Sequence, residues 1–492
     1  MSASPDLEDA VSSKSIEKTS LSEIAALEGY DEELVKKTWR KVDWHIMPVA
    51  CMLYLASYID RANIGNAKVL GLYKDLGLTD NQYNLALSIF FAGYVVFETP
   101  SNIIIKRTSP RWYIPIMTVI WGITCALFSL VRNSSGLAAA RFFLGFAEAG
   151  FLPGIVFWMG SWYPRPMQGR RFGVLYSSVS LTGAFGGLLA TAIHTLDGAH
   201  GIAGWKWIFI VEGCITAGFG LLAFIFMTAG PTTAKFLTPT EREIIIKMNE
   251  ADRALRANEG FSTSQIKSAF TDWRTYVWSV MFLTTYIPVY SVVLSLPTVV
   301  SGLGYSGVGA TLMAVPPYGL GFIVVLLSGW TVDRFGHRFL HYTAGITVTI
   351  IALIILMAVK NLVVRYIMFF FIMFMCVCPH LHHVGVAHIE RRRVEQRAAA
   401  TGLIFSLGNC GGVVSGQIYR TEWAPRYVQG HAINIGCYAL ALAAGFVIWW
   451  SYRTDNIARD KEAGRQVERG ENMLGDDLGD LGDRHPHFRY LL

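Results

Sequence analysis

Trp205-Lys-Trp-Ile-Phe-Ile-Val-Glu212-Gly-Cys-Ile-Thr-Ala-Gly-Phe-Gly-Leu-Leu-Ala-Phe-Ile-Phe-Met-Thr228 is an apolar run interrupted only by Lys206 near its start and by Glu212. An α-helix rises about 1.5 Å per residue, so roughly 20 such residues cross a hydrocarbon core of about 30 Å. In lipid every backbone amide must find an internal partner, so a run of this length reads as a membrane-spanning helix. Eleven further runs resemble it, near 44–64, 82–105, 112–132, 137–162, 172–194, 274–300, 307–330, 339–359, 363–389, 398–418 and 431–453. Six runs, a polar interval over 229–272 and six more runs predict an all-α membrane protein with twelve transmembrane helices in two six-helix bundles. The expected units are an N-terminal segment 1–42, a bundle 43–228, a central loop 229–272, a bundle 273–453 and a disordered tail 454–492.

Composition agrees with this reading. Of the 492 residues 52% are hydrophobic and 16% charged, against roughly 25% charged in a soluble protein. The net charge of +6 matters less than where it falls. Lys106, Arg107 and Arg111, then Arg165, Arg170 and Arg171, the central loop, Arg334 and Arg338, and Arg391, Arg392, Arg393 and Arg397 occupy alternate loops. The positive-inside rule then places both termini in the cytoplasm, with the plasma membrane as the expected location. No cleavable signal peptide is expected ahead of the first run. The segment 31–43 is expected to be a short interfacial helix leading into that run. All seven cysteines fall inside apolar runs and read as small buried hydrophobes. The sequon at Asn133 falls in a short loop on the outer side and is a candidate glycosylation site.

Ionisable residues inside spans cost about 2.5–3.5 kcal/mol on insertion scales, which makes each a functional candidate. Asp60 and Arg61 are adjacent in span one and point about 100° apart, so one can line a cavity while the other pairs with a neighbouring helix. An interfacial pair at a helix end is the plainer alternative. In span four Arg141 and Glu148 are seven residues, or two turns, apart and share a face, with Gly145 between them leaving room for a ligand or a helix. They offer a cation for an anionic substrate and a carboxylate for a proton; an internal salt bridge is the alternative. Glu98 and Glu212 are read as gating or packing residues. Tyr286 and Tyr290, four apart in span seven, face one way and are candidate substrate contacts. Cys376, His380 and His383 share a helical face in span ten, but one face holding Pro379 does not converge ligands, so no metal site is expected. Neither a Walker-type phosphate loop nor a Gly-x-Ser-x-Gly elbow is present, so neither enzyme activity nor a cofactor is expected.

Gly329-Trp-Thr-Val-Asp333-Arg334-Phe-Gly336-His-Arg338 resembles the loop Gly-x-x-x-Asp-Arg-x-Gly-x-Arg of the major facilitator superfamily, in which Asp333 and Arg334 would latch helix ends. The corresponding stretch Lys106-Arg107-Thr-Ser-Pro-Arg111 departs from that pattern. Asp60-Arg-Ala-Asn-Ile-Gly-Asn-Ala67, Phe97-Glu-Thr-Pro-Ser-Asn102, Arg141 through Glu148, Trp205 through Glu212, and Gly408-Asn-Cys-Gly-Gly412 with Ile418-Tyr-Arg420 resemble the anion:cation symporters, and more narrowly the fungal allantoate permease group. The likeness runs from about Arg40 to Tyr452. It implies proton-coupled uptake of a small organic anion by alternating access, with Asp60 and Glu148 as proton-coupling positions, Arg61 and Arg141 as anion-binding positions, and Asn409 as a substrate contact. Span ten departs from the pattern, reading Val386-Ala-His-Ile-Glu390-Arg-Arg-Arg393 where relatives carry a tryptophan and paired asparagines. The expected partners are a small organic anion, a proton and the bilayer, with no nucleic acid, and the chain is expected to act as a monomer. Two other readings stand beside import: export of a secondary metabolite on the same fold, and a non-transporting nutrient sensor.

Overall fold

The computed structural model describes residues 30–254, 263–305, 307–335, 338–373 and 394–468. The N-terminal half is built from α1 (Glu32–Ala67), α2 (Asp80–Arg107), α3 (Pro110–Leu127), α4 (Ser134–Glu148), α5 (Phe151–Trp162), α6 (Arg165–His194) and α7 (Gly204–Phe226). Helices α8 (Pro239–Ala254) and α9 (Thr263–Thr271) occupy the central interval. The C-terminal half comprises α10 (Trp273–Ser301), α11 (Val308–Phe335), α12 (Arg338–Ala358), α13 (Leu362–Met373), α14 (Val394–Ser415) and α15 (Val428–Glu468). Helices α4 and α5 form one broken span, parted at Ala149 and Gly150. Ten of the described spans are long and apolar enough to cross a bilayer, and α13 and α14 are shorter apolar helices at the remaining two expected positions. The protein is an all-α membrane protein of two helical bundles.

Local signals set the helix ends. Thr79 and Gln82 form a reciprocal capping box at the start of α2. Thr238 and Glu241 exchange backbone-to-side-chain hydrogen bonds of 2.9 and 3.3 Å at the start of α8. Asn133 caps α4, its Oδ1 accepting from the Gly136 amide at 2.7 Å.

Two segments differ from their sequence reading. Residues 31–43 do not form a separate interfacial helix; Asp31 caps a single helix that continues to Ala67. The reason is anchorage: Lys41 reaches Glu241 of α8 at 2.7 Å, and Asp43 receives Arg171 of α6 at 2.6 and 2.8 Å. The start of the expected tail is also ordered. Helix α15 runs on to Glu468, held past residue 454 by Arg274, which donates to Asp455 at 2.7 Å. These three ion pairs lie at one end of the molecule, which also carries the start of α1 and the end of α15.

Away from that end the bundles are pressed together. A methyl group on Gly65 of α1 would lie 2.5 Å from the Leu294 carbonyl oxygen of α10. Gly412 and Gly416 of α14 abut Phe91 and Leu87 of α2, and Gly183 and Gly187 of α6 abut Tyr318 and Val315 of α11. Small residues allow this approach, as at other membrane helix crossings. Ser88 donates to the Val413 carbonyl at 2.7 Å and accepts from Gln417 at 3.2 Å, which stitches α2 to α14.

Candidate functional site

Below this seam lies a narrow cavity of about 20 Å3, lined from both bundles. Tyr54, Ser57, Tyr58 and Arg61 enter it from α1 at successive three- and four-residue spacings, which stack one above another on a helix. Tyr94 comes from α2, Glu148 from α4, Phe151 and Leu152 from α5, and Tyr176 from α6. The other bundle supplies Tyr286 and Tyr290 from α10 and Phe405 and Asn409 from α14. The walls are therefore mainly aromatic, with a single pair of opposite charges among these lining residues.

That pair is Arg61 and Glu148. Arg61 Nη2 donates to Glu148 Oε1 at 2.5 Å, and Ser57 Oγ donates to the same oxygen at 2.5 Å. Both side chains are almost wholly buried. Glu148 Oε2 has no hydrogen-bond partner. Arg61 Nη1 also donates to the Tyr290 hydroxyl at 3.4 Å, a link between the bundles. Its guanidinium lies 4.8 Å from the ring centre of Tyr58, 5.3 Å from Phe90 and 5.4 Å from Tyr94, so several aromatic faces share its charge. Glu98 of α2 is buried, with Asn409 of the opposite bundle near its carboxyl and its Oε2 without a hydrogen-bond partner.

Adjacent residues of α1 diverge. While Arg61 lines the chamber, Asp60 turns into the N-terminal bundle and accepts from Trp121 Nε1 at 3.0 Å, Thr216 Oγ1 at 2.8 Å and Cys125 Sγ at 3.6 Å. Glu212 of α7 is buried on that side, with neither carboxylate oxygen hydrogen-bonded.

Arg141 does not line the chamber. Sharing a face with Glu148 is not sharing a depth, since seven residues shift a side chain about 10 Å along the helix axis. At its own level Arg141 is fully buried, with Nε donating to the Ala86 carbonyl at 3.4 Å and the guanidinium 5.1 Å from the Phe90 ring. The Phe90 ring thus contacts both arginines. Gly145 serves the neighbouring helix, for a methyl there would lie 2.0 Å from the Phe90 carbonyl oxygen.

Tyr286, Tyr290 and Asn409 all border the chamber. Arg334 is exposed at the end of α11, 5.9 Å from the Trp330 ring. Asp333 lies in the same helix. The span-ten cluster of Cys376, His380 and His383 falls outside the described residues. Sequence reasoning passed over Ser57, Tyr54, Tyr58, Tyr94, Tyr176, Phe151 and Phe405. The α1 members carried a signal, the three- and four-residue spacing back from Arg61; the others carried none, because an aromatic residue in a span is as readily lipid-facing.

Two helical bundles around a central cavity lined from both, with a charged pair at its wall, have the architecture of a membrane transporter. Residues 50–416 match the Major Facilitator Superfamily, and the chain belongs to that family. It is 32% identical to the MFS-type transporter cnsO of Penicillium expansum over 473 residues, 93% of this chain and 90% of that one. It is likewise 32% identical to the major facilitator-type transporter hxnP of Emericella nidulans, covering 94% of both. Among solved structures, a bacterial homologue of the human lysosomal transporter Spinster, inward-facing and unoccupied, superposes with a TM-score of 0.63 at 14% identity, over 85% of this chain and 97% of that chain. These relatives are transporters and not enzymes, and so is this chain.

Proposed function

We propose that the protein takes up a small organic anion together with a proton, and that Arg61 and Glu148 form the coupling unit. One observation carries this reading: the cation lining the chamber is engaged by a carboxylate that a proton would neutralise. With Glu148 ionised, its Oε1 occupies Arg61 and competes with an anionic solute. A proton on the unpartnered Oε2 weakens that hold and frees the guanidinium for the solute's carboxylate. Tyr286 and Tyr290 supply flat apolar surface and hydroxyls for the rest of the solute, and Asn409 a polar contact beside Glu98.

The geometry of the seam supports alternating access. Closure over Gly65, Gly412 and Gly416 seals the chamber from the face away from the termini, and a rocking motion would exchange that seal for one at the other end. Because Arg61 spans to Tyr290, protonation at Glu148 also alters a contact between the two bundles. Asp60 and Arg141 belong on this reading to the supporting layers, Asp60 tying α1 to α3 and α7, and Arg141 sitting behind Phe90. We place both termini in the cytoplasm and the protein in the plasma membrane, from the loop charges.

The test is reconstitution of the full chain in proteoliposomes and a panel of labelled carboxylates, with and without an inward proton gradient. Accumulation that collapses when the gradient is dissipated is the expected result. Uptake indifferent to the gradient would reject coupling, and movement only outward with the gradient would favour the export reading.

A further inference from the structure

Two stripes of side chains face each other where α2 of one bundle crosses α14 of the other. Leu87, Phe91, Tyr94 and Glu98 recur along α2 at helical spacing and share one face. Phe405, Asn409, Gly412 and Gly416 recur along α14 at the same intervals and share another. The two stripes run antiparallel, for a methyl on Gly416 would meet Leu87 and one on Gly412 would meet Phe91. Continued away from the seam, that register sets Tyr94 against Asn409 and Glu98 against Phe405. Tyr94, Asn409 and Phe405 border the chamber. Glu98 therefore stands one turn beyond Tyr94, at the edge of the chamber wall.

The Glu98 residue is only 7% exposed, and its Oε2 has no hydrogen-bond partner. Arg61, the cation of this wall, is held by Glu148 instead. A buried carboxyl oxygen left without a donor forfeits its solvation, a loss that a side chain serving only to pack would not incur. The free oxygen and the Asn409 amide belong to opposite bundles, so a polar group meeting both would bridge them.

We propose that Glu98 selects the solute, accepting a hydrogen bond from an amide N–H or hydroxyl of the anion whose carboxylate meets Arg61. This rests on the reading of Arg61 as the anion's partner. The substrate class is then a carboxylate that carries a hydrogen-bond donor, and an anion without one is rejected because it leaves Oε2 buried and unpaired. Spacing sets the reach. The Arg61 guanidinium lies 5.4 Å from the Tyr94 ring, and Glu98 is one turn further, about 6 Å along α2. Carboxylate and donor are accordingly separated by a short chain of a few carbon atoms.

The test is equilibrium binding of three probes to the purified full-length protein in nanodiscs. They are N-acetyl-γ-aminobutyrate, its N-methyl derivative, which lacks the N–H, and its methyl ester, which keeps the N–H and lacks the carboxylate. The wild type is expected to bind the parent acid about 10- to 150-fold more tightly than the N-methyl derivative, as a hydrogen bond to a charged group predicts. In Glu98→Leu the parent acid should weaken to the level of the derivative, whose own affinity stays put. Glu98→Gln keeps the shape and a neutral acceptor, so it should retain only part of the ratio, and it decides the matter if Glu98→Leu does not fold. A wild-type ratio close to unity, or a ratio that Glu98→Gln keeps in full, overturns the proposal and leaves the uptake reading standing. So does failure of the parent acid to bind. An ester that binds as tightly as the acid instead overturns the role of Arg61, and with it the uptake reading.

Discussion

Replacing Glu148 by glutamine removes a charge, keeps the shape and imitates the protonated state, so it isolates the coupling step. In the wild type Arg61 gives one of its amino groups to Glu148 Oε1 at 2.5 Å. Two unit charges about 4 Å apart, centre to centre, attract by about 4 kcal/mol at an effective dielectric of 20, which bounds what ionised Glu148 withholds from a solute. The hydrogen-bonded part alone is about 1.5–3 kcal/mol. Anion affinity should therefore differ by about 10- to 150-fold between the two protonation states. The variant should fold, because the Gln carbonyl still accepts from Arg61 and Ser57 while the rings of Tyr58, Phe90 and Tyr94 surround the guanidinium. The sign follows from the competition. The ionised carboxylate holds Arg61 against the solute, so Glu148→Gln should bind the anion more tightly than the wild type by that same factor. Calorimetric or scintillation-proximity binding measures the affinity, and proteoliposome counterflow should continue while concentrative uptake fails. A variant that binds the anion no more tightly than the wild type, or that still concentrates it against a gradient, would refute the assignment of the proton to Glu148.

Arg61→Met should weaken anion binding by about 10- to 150-fold, whereas Arg141→Met, behind Phe90, should change it by less than about threefold; equilibrium binding of both variants separates the two arginines. Asp60→Asn sets an amide against donors from Trp121, Thr216 and Cys125, and should cost about 1–3 kcal/mol, read as a lowered unfolding midpoint with chamber affinity retained. Gly65→Ala forces a methyl toward the Leu294 carbonyl and should destabilise the sealed seam by about 1–3 kcal/mol, slowing counterflow roughly tenfold or more without abolishing binding. On the terminal face, burial raises the Glu241 carboxyl but the Lys41 hydrogen bond and the Thr238 contacts outweigh it and hold it below the usual carboxylate value. A depressed folded-state value gives stability that is present above the unfolded value and lost as pH falls through the folded one. Docking of α8 on α1 should therefore loosen only in acid, seen as faster hydrogen exchange at Ile244, Ile245 and Met248, and Lys41→Met should remove that dependence.

Composition and run length determined the class and architecture of this protein. A chain with long apolar runs and basic residues concentrated in alternate loops has few ways to satisfy its backbone in lipid, and helices in a bilayer are the one its run lengths fit. Helical periodicity likewise placed Asp60 and Arg61 on different faces, and Tyr286 and Tyr290 on one. Depth was another matter. Arg141 and Glu148 lie on the same stripe of span four, yet the break at Ala149 and Gly150 and the height of Phe90 on a neighbouring helix decide which one meets the chamber. The partner of Glu148 proved to be Arg61, 87 residues away in sequence. Burial made the pairing: a charge withdrawn from water takes the counter-charge that packing brings within reach, and that distance is set by how helices cross, which one-dimensional spacing does not encode.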